Sequence, residues 1–143
     1  MATAGRNDPY LSYRFRIEID GIISGGFAEC SGIQAETEYE EYREGGVNDY
    51  VHRLPKVTKY PNLTFKRGIT DSEKLWDWYQ NVVMGKIERK NGAIILLDSE
   101  GNEKWRWNFK GAYPVKWTGP DLKADSNAVA FETLELTHTG ITK

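Results

Sequence analysis

Residues 93–110 read AIILLDSEGNEKWRWNFK, and this stretch decides the fold class. Ala93 to Leu97 is an uninterrupted apolar run of strand length. Asp98 to Asn102 is a polar, glycine-containing turn sequence. Trp105, Trp107 and Phe109 then alternate with Arg106, Asn108 and Lys110. A period of two puts one set of side chains on each face of a strand. Two such runs around a short turn predict a β-hairpin. Tyr113, Val115 and Trp117 carry the aromatic and apolar series on past Pro114.

The same period recurs towards the N-terminus. Tyr13, Phe15, Ile17 and Ile19 point one way and Arg14, Arg16, Glu18 and Asp20 the other, which predicts a half-buried strand. Asp20-Gly21 signals a hairpin turn into a second strand, interrupted at Gly25-Gly26 and resuming through Phe27, Glu29 and Cys30. Paired glycines inside a strand suggest a bulge or a close backbone approach. Residues 35–44 are β-competent and highly charged, with Glu36, Glu38 and Glu40 on one face and Thr37 and Tyr39 on the other. Residues 45–61 carry two glycines, two prolines and no clean period. About 17 unpatterned residues are long for a connection in a compact domain. Tyr50, Val51, Leu54, Val57 and Tyr60 are too apolar for a solvated tail, so the expectation is an ordered loop that docks on something.

Leu63 and Phe65 form another short strand that Gly68 ends. Thr70-Asp71-Ser72-Glu73 has capping-box spacing, with Thr70 as N-cap and Glu73 at the third helical position. Leu75, Trp78, Tyr79, Val82 and Val83 then recur at helical spacing, and Gly85 is a natural stop. One helix is predicted, over about 71–86. Residues 128–139 read as a last strand whose phase slips, since Val129 and Phe131 oppose Leu134 and Leu136. Either a bulge lies near Thr133 or both faces are covered. The sum is a mainly β domain with one α-helix: a small antiparallel β-sandwich or barrel with the helix packed against it.

Composition narrows the function. A chain of 143 residues is one ordinary domain, with residues 1–10 expected to be a flexible arm. The 19 basic and 21 acidic side chains give a net charge of −2, which offers no basic face for tight nucleic-acid binding. Cys30 is the single cysteine, so no intrachain disulfide can form, and its simplest reading is a small buried apolar residue. The N-terminal stretch lacks the apolar core of a secretory signal, and no run approaches the ~20 apolar residues of a membrane helix. Synthesis and folding in a reducing cytosol are therefore expected, with export left to lysis or machinery.

Catalytic chemistry is sparse. His52 and His138 each stand alone, without a cysteine or second histidine at metal-ligand spacing. No nucleophile elbow, P-loop or dinucleotide fingerprint is present. The glutamates at 36, 38, 40, 41 and 44 supply carboxylates in the number a glycosidase needs, but neighbours two apart on a strand repel, and a solvated or channel-lining face explains them more simply. Trp105, Trp107 and Trp117 could stack on sugars, although their period of two beside Phe109 suits a core. A full core, an apolar-flecked long loop and no chemistry describe an assembly protein. A small carbohydrate-binding β-domain is the rival reading from another class.

Four stretches carry a family resemblance: EYREGGVNDYVHRLPKVTKYPNLTFKRGITDSEKLWDWYQ at 41–80, NGAIILLDSEG at 91–101, WRWNFKGAYPVKWTGPDLKADSN at 105–127 and ETLELTHTG at 132–140. Together they resemble the phage-type tail-tube family, and most of all the inner-tube subunits of extracellular contractile injection systems. The resemblance spans about Tyr10 to Gly140. It implies a small barrel of two antiparallel sheets flanked by a helix. It also implies hexameric rings stacked into a hollow tube, without enzymatic activity or cofactor. The implied partners are further copies of the chain, a surrounding sheath, baseplate and tube-terminating proteins, and protein effectors or DNA in the lumen. The implied setting is an injection particle or a virion tail. Within that frame residues 43–61 are expected to make the ring-to-ring contact through Arg43, Glu44, Asp49, Tyr50, Arg53, Lys56, Lys59 and Tyr60. Glu36, Glu38 and Glu40 are candidates for the lumen face, where an acidic wall would repel acidic cargo, with the sheath-facing surface as the alternative.

Overall fold

The computed structural model describes residues 9, 11, 14–20, 26–42, 45 and 51–143. Nine strands and one helix lie within them: β1 (Phe15–Ile19), β2 (Phe27–Ser31), β3 (Glu36–Tyr42), β4 (His52–Lys59), β5 (Leu63–Gly68), α1 (Lys74–Val83), β6 (Lys90–Leu97), β7 (Glu103–Thr118), β8 (Phe131–Thr137) and β9 (Gly140–Thr142). The hairpin read from residues 93–110 is β6–β7, with Ile94 opposite Trp107 and Leu96 opposite Trp105. Asp98 closes its turn by accepting the backbone N–H groups of Glu100 and Asn102, both at 2.9 Å, and Gly101 takes a φ of +83°.

β7 is the organising element. Its first part lies between β6 and β9, and its second part pairs with β8, giving the order β1-β6-β7-β8-β5-β2. The change of partner coincides with a bulge, because the stretch from Phe109 to Ala112 matches only Gly92 to Lys90 on β6. Gly111 sits there at φ +61° and donates its N–H to the Asn91 side chain at 3.0 Å. A left-handed residue at a bulge bends the strand and increases its twist. Two antiparallel sheets therefore share one strand and enclose the core between them. One sheet supplies Ile17, Ile19, Ile94 and Phe109, the other Leu63, Phe65, Leu134 and Leu136, and α1 adds Leu75 and Trp78. The rings of Phe65 and Phe109 meet at 6.0 Å across the two sheets.

Four expectations change. β1 and β2 do not form a hairpin; they occupy the two ends of the sheet order, β1 on β6 and β2 on β5. Their local turn signal cannot compete with the longer partners. Thr70 is not the N-cap: its hydroxyl accepts the Ser72 N–H at 3.3 Å in a short turn, and Glu73 caps the helix without a side-chain bond. The helix runs 74–83, not 71–86, and Val83 at its end is exposed. The apparent phase slip in β8 has another cause, because Glu132, Leu134 and Leu136 all face inward in unbroken register with β5. Glu132 is admitted to the core because Arg67 of β5 meets it at 2.9 Å through Nη2 and 3.2 Å through Nε, while the Trp117 indole N–H donates to its other oxygen at 3.2 Å. Buried charges are tolerated when paired and hydrogen-bonded in this way. The bulge at this strand pair lies in β7, between Pro114 and Lys116.

Candidate assembly surfaces

Within the stretch expected as an unpatterned loop, His52–Lys59 is a strand. β4 pairs antiparallel with β3 as a separate two-stranded arm, with Glu36 opposite Lys59, Glu41 opposite Arg53 and Tyr42 opposite His52. Pro55 hid the strand from pattern reading, since proline is confined to edges and bulges. Here it lies at a bulge, where Thr37 to Tyr39 spans Thr58 to Pro55. Among the described residues the arm makes no substantial contact with any other strand or with the helix. Every residue of β3 and all of β4 except His52 is exposed. An isolated two-stranded ribbon is marginally stable by itself in water.

Side-chain pairs link the two strands of the ribbon. The hydroxyls of Thr37 and Thr58 meet at 2.9 Å, Arg53 lies 3.9 Å from Glu41, and its guanidinium sits 5.6 Å over the Tyr39 ring. Lys59 bonds Glu38, which holds that carboxyl below its ordinary value and raises the lysine. The alternation and register put Glu36, Glu38, Glu40 and Tyr42 on one face with Lys59, Leu54 and His52. The residues expected in the lumen thus share a ribbon face with Lys59, one of those expected between rings. Arg53 and Lys56 complete the exposed basic set on β4. Tyr60 is half-buried at the arm's base, 5.8 Å from the His138 ring. Arg43, Glu44, Asp49 and Tyr50 lie outside the described residues.

Among the described residues several sheet edges are open, that of β1 beyond β6 included. β2 pairs only with β5, and the end of β7 pairs only with β8. Edge strands present unpaired N–H and C=O groups, a template for another chain. The outward residues of that sheet are hydroxyl-rich, with Thr64, Thr118, Thr133 and Thr137 around Lys66, Lys116 and Glu135.

Nothing resembling a reaction centre accompanies these surfaces. Among the described residues no three His, Cys, Asp or Glu side chains gather as a metal site. Cys30 packs against the core, and burial pushes its thiol up to about 12. His138 is buried and donates through Nε2 to the Pro61 carbonyl at 3.1 Å. Trp117 meets Trp76 of α1 edge-on at 4.6 Å, while Trp105 and Trp107 lie 5.9 Å apart and Trp107 packs on the core. These rings serve packing. No helix among the described residues is long and apolar enough to cross a membrane.

Comparison with known proteins decides the family. The family model described as T4-like virus tail tube protein gp19 matches residues 11–142. The chain belongs to this tail tube family. A solved chain of the anti-feeding prophage baseplate is 27% identical with a TM-score of 0.86, covering 96% of each chain. A chain of the PVC extracellular contractile injection system, from its sheath–tube complex in the extended state, is 26% identical with a TM-score of 0.83, over 94% of this chain and 90% of that one. Hcp1 from Flavobacterium johnsoniae shares the fold at 17% identity and a TM-score of 0.59, over 91% of this chain and 94% of that one. No curated protein sequence matches. The tail tube family is structural, not enzymatic, and this chain is a tail tube-like structural protein of a contractile injection system or phage-like particle.

Proposed function

We propose that this tail tube protein closes into hexameric rings that stack as the inner tube of a contractile injection particle. The observation that carries the reading is the β3–β4 arm, seven and eight residues of paired strand that the subunit leaves uncovered. A ribbon that stands free of its own body is stabilised by resting on another copy. Ring closure is a heterologous contact that meets itself, whereas stacking is one that stays open and makes a filament. The open edges of β2 and β7 suit the first, since pairing them extends the sheet between neighbours and lines the channel with it. The arm suits the second, through Arg53, Lys56 and Lys59, joined by Arg43, Glu44, Asp49 and Tyr50 from outside the described residues. Glu36, Glu38 and Glu40 go with the arm contact in preference to the channel wall, because Glu38 already holds Lys59 on the ribbon.

The solved relatives support this reading through their settings, which are a baseplate, a sheath–tube complex, a tube-terminating cap and a sheath/tube terminator. Sheath, baseplate and terminator are accordingly the proposed partners, with protein effectors as cargo. A phage tail tube conducting DNA is the second reading, favoured by the family model itself.

Negative-stain microscopy of the purified protein at low and high concentration tests the assembly. Rings and hollow stacks are expected. The arm is then replaced by a short glycine–serine linker, which can join the two ends because Glu36 and Lys59 face each other. That variant should stay folded and form no stacks. Normal tubes from it would refute the role of the arm.

A further inference from the structure

The arm needs a seat, and among the described residues the end of α1 exposes a surface of matching chemistry. At the end of α1, Val83, Met84 and Ile87 are 61%, 80% and 52% exposed. Exposed apolar side chains scattered singly need no explanation, but three within five residues form a patch. Basic groups border it. Lys86 has no ion-pair partner among the described residues, Arg89 lies 5.3 Å over the Tyr113 ring, and Lys90 is held by Glu88 at 3.2 Å. The turn at residues 83–90 is therefore apolar with surplus positive charge.

The arm has the opposite character. On the ribbon face described above, Tyr42 and Leu54 are 54% and 52% exposed and lie beside Glu40, which is opposite Leu54 in register. Only Glu38 of the acidic stripe is engaged, with Lys59; Glu36 and Glu40 have no cation within ion-pair distance among the described residues. Among the described residues nothing covers either surface, so the arm does not rest on its own turn.

We propose that the acidic, apolar face of the β3–β4 arm docks on the basic, apolar turn after α1 of a second copy of this chain. Tyr42 and Leu54 would cover Met84 and Ile87 while Glu36 and Glu40 meet Lys86 and Arg89. Like-charge juxtaposition is costly at interfaces and complementary charge sets register, so charge selects the seat and apolar area holds it. This proposal rests on the reading of the arm as an inter-subunit contact and names its receiving surface.

Charge exchange tests it in the full chain. Glu36→Lys/Glu40→Lys and, separately, Lys86→Glu/Arg89→Glu should each keep the wild-type circular dichroism, since all four positions are at the surface. Each should raise the critical concentration for assembly, read by sedimentation and microscopy, by at least ~10-fold, because a contact repeated in every copy multiplies a modest loss. The four-fold variant carrying both reversals should regain assembly to within about threefold of wild type. An equimolar mixture of the two reversed proteins should co-assemble better than either alone. Reversals that leave assembly unchanged, or a combined variant no better than its parents, would overturn the proposal. If the linker-replaced arm still abolishes stacking in that case, the arm contact stands and only its seat is wrong; if it does not, the reading of the arm fails as well.

Discussion

Replacing Arg67 with methionine strands a carboxylate inside the protein. Arg67 and Glu132 each keep only 7% of their side-chain surface, and Arg67 gives Glu132 two of its three donors, the third being the Trp117 indole. Arg67 also reaches the Ser72 carbonyl at 3.5 Å, so the pair ties β5 and β8 to the segment that enters α1. Breaking such a pair from one side costs about 3–5 kcal/mol, because the remaining charge is buried without its partner. For 143 residues at ~2.1 cal/mol/K each, the unfolding entropy is about 0.3 kcal/mol/K, so the melting temperature should fall by about 10–17 °C. Glu132→Gln should lose a comparable amount by stranding the guanidinium. The double variant Arg67→Met/Glu132→Gln should recover most of it, since the glutamine oxygen still accepts from Trp117 and no charge remains. Urea unfolding of the dilute, unassembled subunit, followed by tryptophan fluorescence, measures all four corners of the cycle. Single losses below about 1 kcal/mol that simply add would refute the reasoning, because that is the behaviour of a solvated surface pair.

Gly32 and Gly92 should not accept alanine. A Cβ on Gly32, at φ +91°, would lie 2.1 Å from the Asn62 carbonyl oxygen, and one on Gly92 would lie 2.4 Å from the Glu18 oxygen and the Phe109 ring. Each substitution should cost at least about 2 kcal/mol in the same urea assay. With its thiol raised from 9.0 to about 12, Cys30 should react with a thiol reagent at pH 8 roughly 1,000-fold more slowly than an exposed cysteine peptide, and equal rates would contradict the burial. The turn carboxyl of Asp98 is lowered from 3.8 by the backbone N–H of Asn102 above all, aided by Glu100 and Lys104. Its folded form therefore favours the ionised group: the stabilisation is complete above about pH 4 and is lost as pH falls through the depressed value. Asp98→Asn should flatten that part of the stability–pH curve, and an unchanged curve would count against the role of the turn.

The strands and the helix that a local period could mark were legible in the sequence. The alternation through Phe15, Ile17 and Ile19 is β1, the run and alternation of 93–110 are the β6–β7 hairpin, and the stripe through Leu75 and Trp78 is α1. These elements announce themselves because each buries one face against something, whatever that something is. The absence of catalytic patterns and the family resemblance were legible for the same reason, since both reside in the residues themselves. Partner choice was not. Asp20-Gly21 favours a hairpin between neighbours in sequence, but Ile17 and Ile19 are better covered when β1 lies on β6, more than 70 residues away. The inward place of Glu132 in β8 was not legible either, because its compensation, Arg67 and Trp117, comes from two other strands. The arm was hardest to see: β4 has a proline at its bulge and no buried face, so neither period nor burial marks it. The sequence determined the helix and the strands that bury a face, because those follow from local spacing. Tertiary structure alone decided which strands meet, where a buried charge is permitted, and that one ribbon is left over for another molecule, because those depend on groups far apart in the chain.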